Sequence, residues 1–220
     1  MRKILFIVAV TLSATMFAQK QIDEGVIISK QTMTSDNEQM NAQLAMLGDM
    51  ITTTYFKNDK SRSELSNPMT GNTVFIADNN SKKSLVLMDN AMIGKKYMES
   101  DISASEEDME NVSVEKTNET KTILGYECTK YNVTMNKDGA EVKMEIYATD
   151  KLKAISQQAT TFGKDFSGFP MYMDMAINQQ GMKMNMVIEV TEVKAEKVSD
   201  DKFNMTPPEG YSKTENLPGM

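Results

Sequence analysis

The chain has no histidine and no tryptophan, and its 220 residues include a single cysteine, Cys128. Without histidine there is no Ser-His-Asp or Cys-His nucleophile, no imidazole base, and no histidine-containing zinc or haem site. One thiol closes no intramolecular disulfide and builds no four-cysteine metal cage. Seven Tyr and eight Phe supply little stacking surface for sugars or bases. Positive charge is short as well. Lys and Arg number 24 against 31 Asp and Glu, a net charge of −7, and such a surface repels a phosphate backbone. These absences set aside most catalysis and nucleic acid binding. The expectation is a non-enzymatic protein without a cofactor.

What is present begins with an export signature. Met1-Arg2-Lys3 is a short basic segment, Ile4 to Val10 is an unbroken apolar run, and Ser13 to Ala18 end on a small residue. This pattern reads as a signal peptide over 1–18. The run is shorter than the roughly 20 apolar residues a spanning helix needs, so the mature chain is expected to have no transmembrane segment. No cysteine sits near the junction, which argues against a lipid anchor. The expected location is the periplasm or the extracellular space. Residues 19–211 are then one domain, and 212–220 a polar, weakly ordered tail.

Strand signals dominate that domain. Gly25 to Ser29, Ile51 to Lys57, Ser61 to Leu65, Thr73 to Ala77, Ser84 to Met88 and Lys95 to Met98 are short runs separated by turn residues. Val112 to Thr117, Thr122 to Met135, Glu141 to Ala148, Phe169 to Ile177 and Met182 to Val193 follow, with Asn136-Lys137-Asp138-Gly139 as a turn. Lys151 to Phe166 reads as irregular or partly helical. One helix is expected near the start. Ser35 and Glu38 form a capping box, and Met40, Leu44, Leu47 and Ile51 then recur on one stripe. A one-sided stripe implies a helix lying on a sheet. Glu106, Glu107, Asp108 and Glu110 cluster, but without the Gly and alternating Asp/Asn of a calcium loop they read as a solvated loop. Many close strands with few helices predict a mainly β fold, an antiparallel sheet or barrel.

The 21 methionines are the excess in this composition. They concentrate in Met171-Tyr172-Met173-Asp174-Met175 and Met182-Lys183-Met184-Asn185-Met186, around Asn178-Gln179-Gln180-Gly181. A four-residue turn there pairs Ile177 with Met182, Met175 with Met184, and Met173 with Met186. One face then carries Phe169, Met171, Met173, Met175, Ile177, Met182, Met184, Met186 and Ile188, and Asp174 lies opposite Asn185 on the other. Three uses fit such a face. It packs a core; it lines a pliable groove for acyl chains or other apolar ligands; or it offers thioethers of Met173, Met175, Met184 and Met186 to Cu(I). Cys128, mid-strand and without a histidine, reads as an inert buried thiol.

The run Lys121-Thr122-Ile123-Leu124-Gly125-Tyr126-Glu127-Cys128-Thr129-Lys130-Tyr131 resembles an element of a family of secreted Bacteroidetes proteins that carry a domain of unknown function. Lys60-Ser61-Arg62, Gly168-Phe169-Pro170, Gly181-Met182-Lys183-Met184 and Glu196 to Phe203 are similar to further elements in the same order. The resemblance implies a fold like the LolA and LolB lipoprotein carriers, an antiparallel half-barrel with a helix packed over its concave face. The expected ligand is a lipid or acyl chain, with an envelope protein as a possible partner. The expected site is Met40, Leu44 and Leu47 above Met171, Met173, Met175, Met184 and Met186. The alternatives are a periplasmic Cu(I)-binding protein and a structural envelope module with a filled core.

Overall fold

The computed structural model describes residues 20–67, 71–102, 110–137, 140–179 and 181–217. A long first strand, β1 (Glu24–Ser35), leads through α1 (Glu38–Leu47) into a meander. Its strands are β2 (Met50–Lys57), β3 (Lys60–Asn67), β4 (Gly71–Asp78), β5 (Lys83–Asn90) and β6 (Gly94–Asp101). The second meander is β7 (Val112–Ile123), β8 (Tyr126–Lys137), β9 (Ala140–Thr149), β10 (Phe169–Gln179) and β11 (Met182–Lys194), and β12 (Ser212–Lys213) ends the series. All join one 12-stranded sheet in the order β12-β6-β5-β4-β3-β2-β1-β11-β10-β9-β8-β7. Because β1 pairs with both β2 and β11, it stitches the two meanders together. The short β12–β6 pair is parallel, and the other strand pairs among the described residues are antiparallel. The sheet is open, with β7 and β12 at its edges. The fold is mainly β, as the strand signals required.

The two faces are covered by different segments. The crossover from β9 to β10, residues 150–168, lies on what we call the inner face. Leu152 bridges to Ile22, and the Ile155 amide donates to Ser61 Oγ at 2.7 Å. A four-residue helix α2 (Gln157–Thr160) follows, and Phe162 and Phe166 pack into the core beside Tyr131, Met173 and Met175. The outer face of the first meander is covered by the chain after β11. Val198 and Phe203 pack on Val26, and Met205 and Tyr211 pack on Ile76, Leu85 and Leu87. An electrostatic clasp holds this segment: Glu64 Oε1 accepts from Arg62 Nε and, at 3.2 Å, from Lys202 Nζ. The Lys202 ammonium also sits 3.9 Å from the Tyr55 ring centre. Strands buried on both faces need no alternation, which accounts for the continuous Phe75-Ile76-Ala77 and Leu85-Val86-Leu87 runs.

Several expectations change in detail. The helix is capped by Asn37, whose Oδ1 accepts from the Met40 amide at 3.0 Å, and not by Ser35. The Ser35 hydroxyl instead donates to Lys183 O at 3.1 Å, tying the helix entrance to β11. The helix stops at Leu47, and Ile51 belongs to β2. The strand read through Gly125 is broken by a turn, since Leu124 and Gly125 both have positive φ, 49° and 85°. The described part of the tail, residues 212–217, is docked on the sheet. Ser212 and Lys213 pair with β6, and Leu217 is buried against Phe75, Ala77 and Val86, filling apolar space that β4 and β5 leave open. The signal segment 1–18, the acidic residues Glu106, Glu107 and Asp108, and the Asp138-Gly139 turn lie outside the described residues.

Candidate functional site

The site grows out of the β10–β11 hairpin. Gln179 pairs with Met182, so two residues rather than four separate the strands and every pairing moves by two residues from the expected one. Ile177 faces Met184, Met175 faces Met186, Met173 faces Ile188, and Asp174 faces Val187 instead of Asn185. A shift of two leaves every side chain on its expected face, because the side-chain period of a strand is two. Gly181 permits the tight turn with a φ of 84°.

Neighbouring strands extend the methionines into rows. Val114, Val133, Met144, Met175, Met186 and Met33 are successive cross-strand partners from β7 to β1. The next row towards the turn of the hairpin is Val112, Met135, Val142, Ile177 and Met184. On the other side lie Tyr131, Ile146, Met173, Ile188 and Gln31. The crossover seals Tyr131, Ile146 and Met173 of this row, and Met175 beside them. The Phe166 ring lies 4.7 Å from Tyr131 and 5.3 Å from Phe162, and the Tyr131 hydroxyl meets Ser167 Oγ at 2.9 Å. Met173 and Met175 are accordingly only 2% and 6% exposed. Beyond the crossover, Met33, Met135, Val142, Ile177, Met184 and Met186 remain half-buried and form an apolar shelf.

A groove of about 100 Å³ continues the shelf under Ser156 and Gln158. Leu65, Phe75, Phe169, Met173 and Ile188 supply its apolar wall, and Ser29, Gln31, Thr52, Thr54, Ser63 and Thr73 its polar wall. The polar wall escaped sequence reasoning, although Ser29-x-Gln31, Thr52-x-Thr54 and Ser61-x-Ser63 repeat with the strand period.

The structure thus brings Met173, Met175, Met184 and Met186 onto one face, but does not lay the helix over them. Met40, Leu44 and Leu47 belong to α1, which packs beside β1, and Leu44 lines a hollow with Thr32, Met33 and Met50 at the β1 end of the shelf. Phe162 and Phe166 take the covering place expected of the helix. Met171 is also elsewhere. The β10–β9 register breaks between Pro170 and Tyr172, leaving Met171 unpaired with β9. It is fully buried in a second cluster with Ile27, Phe56, Cys128 and Phe169.

Cys128 is fully buried, and burial pushes its thiol up to about 11. Its Sγ donates to Tyr126 O at 3.4 Å. The native thiol should therefore resist a water-soluble disulfide reagent at neutral pH and react stoichiometrically once urea unfolds the chain. Rapid labelling of the folded protein would contradict this burial. Among the described residues, no three His, Cys, Asp or Glu side chains are grouped to hold a metal ion.

Residues 37–211 match the family model described as "Domain of unknown function (DUF4412)". No curated protein is found to match the chain. Among solved structures, the chain is similar to one described as PNGF-II, with a TM-score of 0.50 and 17% identity over 87% of this chain. It spans 31% of that longer chain, and the likeness is one of fold alone. The Mycobacterium tuberculosis lipoprotein LppX aligns over 81% of this chain and 89% of its own, at 9% identity and a TM-score of 0.32.

Proposed function

The chain belongs to the DUF4412 family of domains of unknown function, and we propose that it is a non-enzymatic, exported envelope protein that binds a lipid or acyl chain on the inner face of its sheet. The observation that supports this most is the shelf: methionine-rich rows that are half-buried where the crossover stops. Thioether side chains repack around flexible apolar partners at little cost. The ligand-contacting residues are then Met184 and Met186, joined by Met33 and Ile177, with Met175 beneath them and Met173 at the groove floor. Burial of a chain there contributes about 25 cal/mol per Å² before ordering costs. Met40, Leu44 and Met171 act in this reading through packing alone. Export through residues 1–18 and the resemblance to LolA-type carriers in secreted Bacteroidetes proteins belong to the same proposal.

A structural module is the second reading, favoured by the near-complete burial of Met171, Met173 and Met175. Native mass spectrometry of the protein purified gently from its own host separates the readings. A co-purifying lipid or acyl mass, removable by organic extraction, is the expected result. Stoichiometric copper would replace the lipid reading with a thioether metal site. A clean protein mass that also takes up no lipid from added vesicles would favour the filled core.

A further inference from the structure

Apolar chemistry does not explain the polar wall of the groove. Strand register sets its members side by side: Ser29 faces Thr52, Thr54 faces Ser63, and Gln31 faces Ile188 at the edge of the shelf. Thr54 and Ser63 satisfy each other, their hydroxyl oxygens 2.8 Å apart. Ser29 is only 7% exposed, yet among the described residues its hydroxyl has no hydrogen-bond partner, and neither do Thr52, Thr73 or the Gln31 amide. A buried hydroxyl is normally paired, so Ser29, opening into the groove beside the half-buried Gln31, Thr52 and Thr73, calls for a polar occupant. Among the described residues no Lys, Arg, Asp or Glu lines that groove. Its volume of about 100 Å³ accommodates several water-sized groups, but not an acyl chain.

We infer that the groove is a head-group subsite and that the ligand is a neutral acyl ester. The uncharged hydroxyl and ester oxygens of the head meet Ser29, Gln31, Thr52 and Thr73. The acyl chain leaves past Ile188 and runs over Met186 along the shelf. A carboxylate or phosphate head would enter a partly desolvated groove without a countercharge, and burying an unpaired charge is strongly unfavourable. This assignment rests on the apolar-chain reading and adds the chemical class of the head.

The test is displacement of the fluorescent apolar probe N-phenylnaphthylamine from the full mature chain at neutral pH. Monoolein and oleate share one acyl chain and differ in the charge of the head. Monoolein should displace the probe at a concentration about ten-fold or more below that of oleate. Gln31→Lys, which supplies a countercharge, should reverse that order, while Ser29→Ala with Thr52→Val should narrow it. Circular dichroism checks that each variant folds, and the wild-type comparison stands without them. Equal potency of the two lipids on the wild-type protein overturns the head-group subsite and leaves apolar binding intact. Absence of probe binding, with neither lipid bound, overturns the apolar-chain reading and this inference with it.

Discussion

Phe166→Ala should lower the unfolding free energy by about 3–5 kcal/mol, the range found for truncating a buried phenylalanine. The ring is 8% exposed and packs on both Tyr131 and Phe162. It also lies in the cluster that seals Met173 and Met175. Its removal opens a cavity where the crossover meets the sheet, beside Phe162 and Tyr131. Equilibrium urea unfolding reads the effect as a lower midpoint with an unchanged slope. A loss under about 1 kcal/mol would mean that the crossover is not packed as described, because core truncations of this size rarely cost so little.

Met186→Lys should reduce acyl-chain binding about a hundred-fold while leaving the fold intact. The side chain is half-buried on the shelf, between Met175 and Met33 on adjacent strands. An ammonium there reaches water in the free protein, since a lysine stem can lie along apolar surface and lift its charge out. A bound chain would cover that charge without pairing it, which is the costly case. Asn185→Lys, one residue earlier and on the opposite face, is the control and should bind like wild type. Both variants are compared by the same probe titration, after their melting temperatures are measured. Unchanged binding by Met186→Lys would remove the shelf from the site.

The methionine face was legible because strand periodicity is insensitive to an even shift. Both the expected four-residue connection and the observed two-residue one keep Met173, Met175, Met184 and Met186 together. For the same reason the pattern could not choose between the registers. The choice lies in the local geometry of Gly181, which a hydrophobic pattern does not encode. Leu124 escaped similarly: a leucine with a φ of 49° is a turn residue only because Gly125 completes the turn. The stripe of Met40 and Leu44 announced that one side of α1 is covered, but not by which strand. The crossover carried no period at all, so Phe162 and Phe166 were invisible as the cover. Leu217 was likewise a single apolar residue in a polar stretch, and its burial depends on a gap made by distant strands.

The polar wall was missed for another reason. Alternating Ser and Thr in β1, β2 and β3 reads as a solvent face, because the pattern does not say which face of the sheet the crossover occupies. Once 150–168 lies on that side, the same residues become the polar wall of a groove, with Ser29 buried and Gln31, Thr52 and Thr73 half-buried. The proposed site is therefore half legible in the sequence, its apolar half.

The central claim, a chain bound over the shelf, is tested most directly by nuclear magnetic resonance of the protein labelled at its methionine methyl groups and titrated with monoolein. The account predicts saturable shifts at Met175, Met184, Met186 and Met33, with Met205 on the outer face and the exposed Met92 unmoved. Saturation confined to Met92 or Met205, or no saturable shift at any methionine, would contradict it.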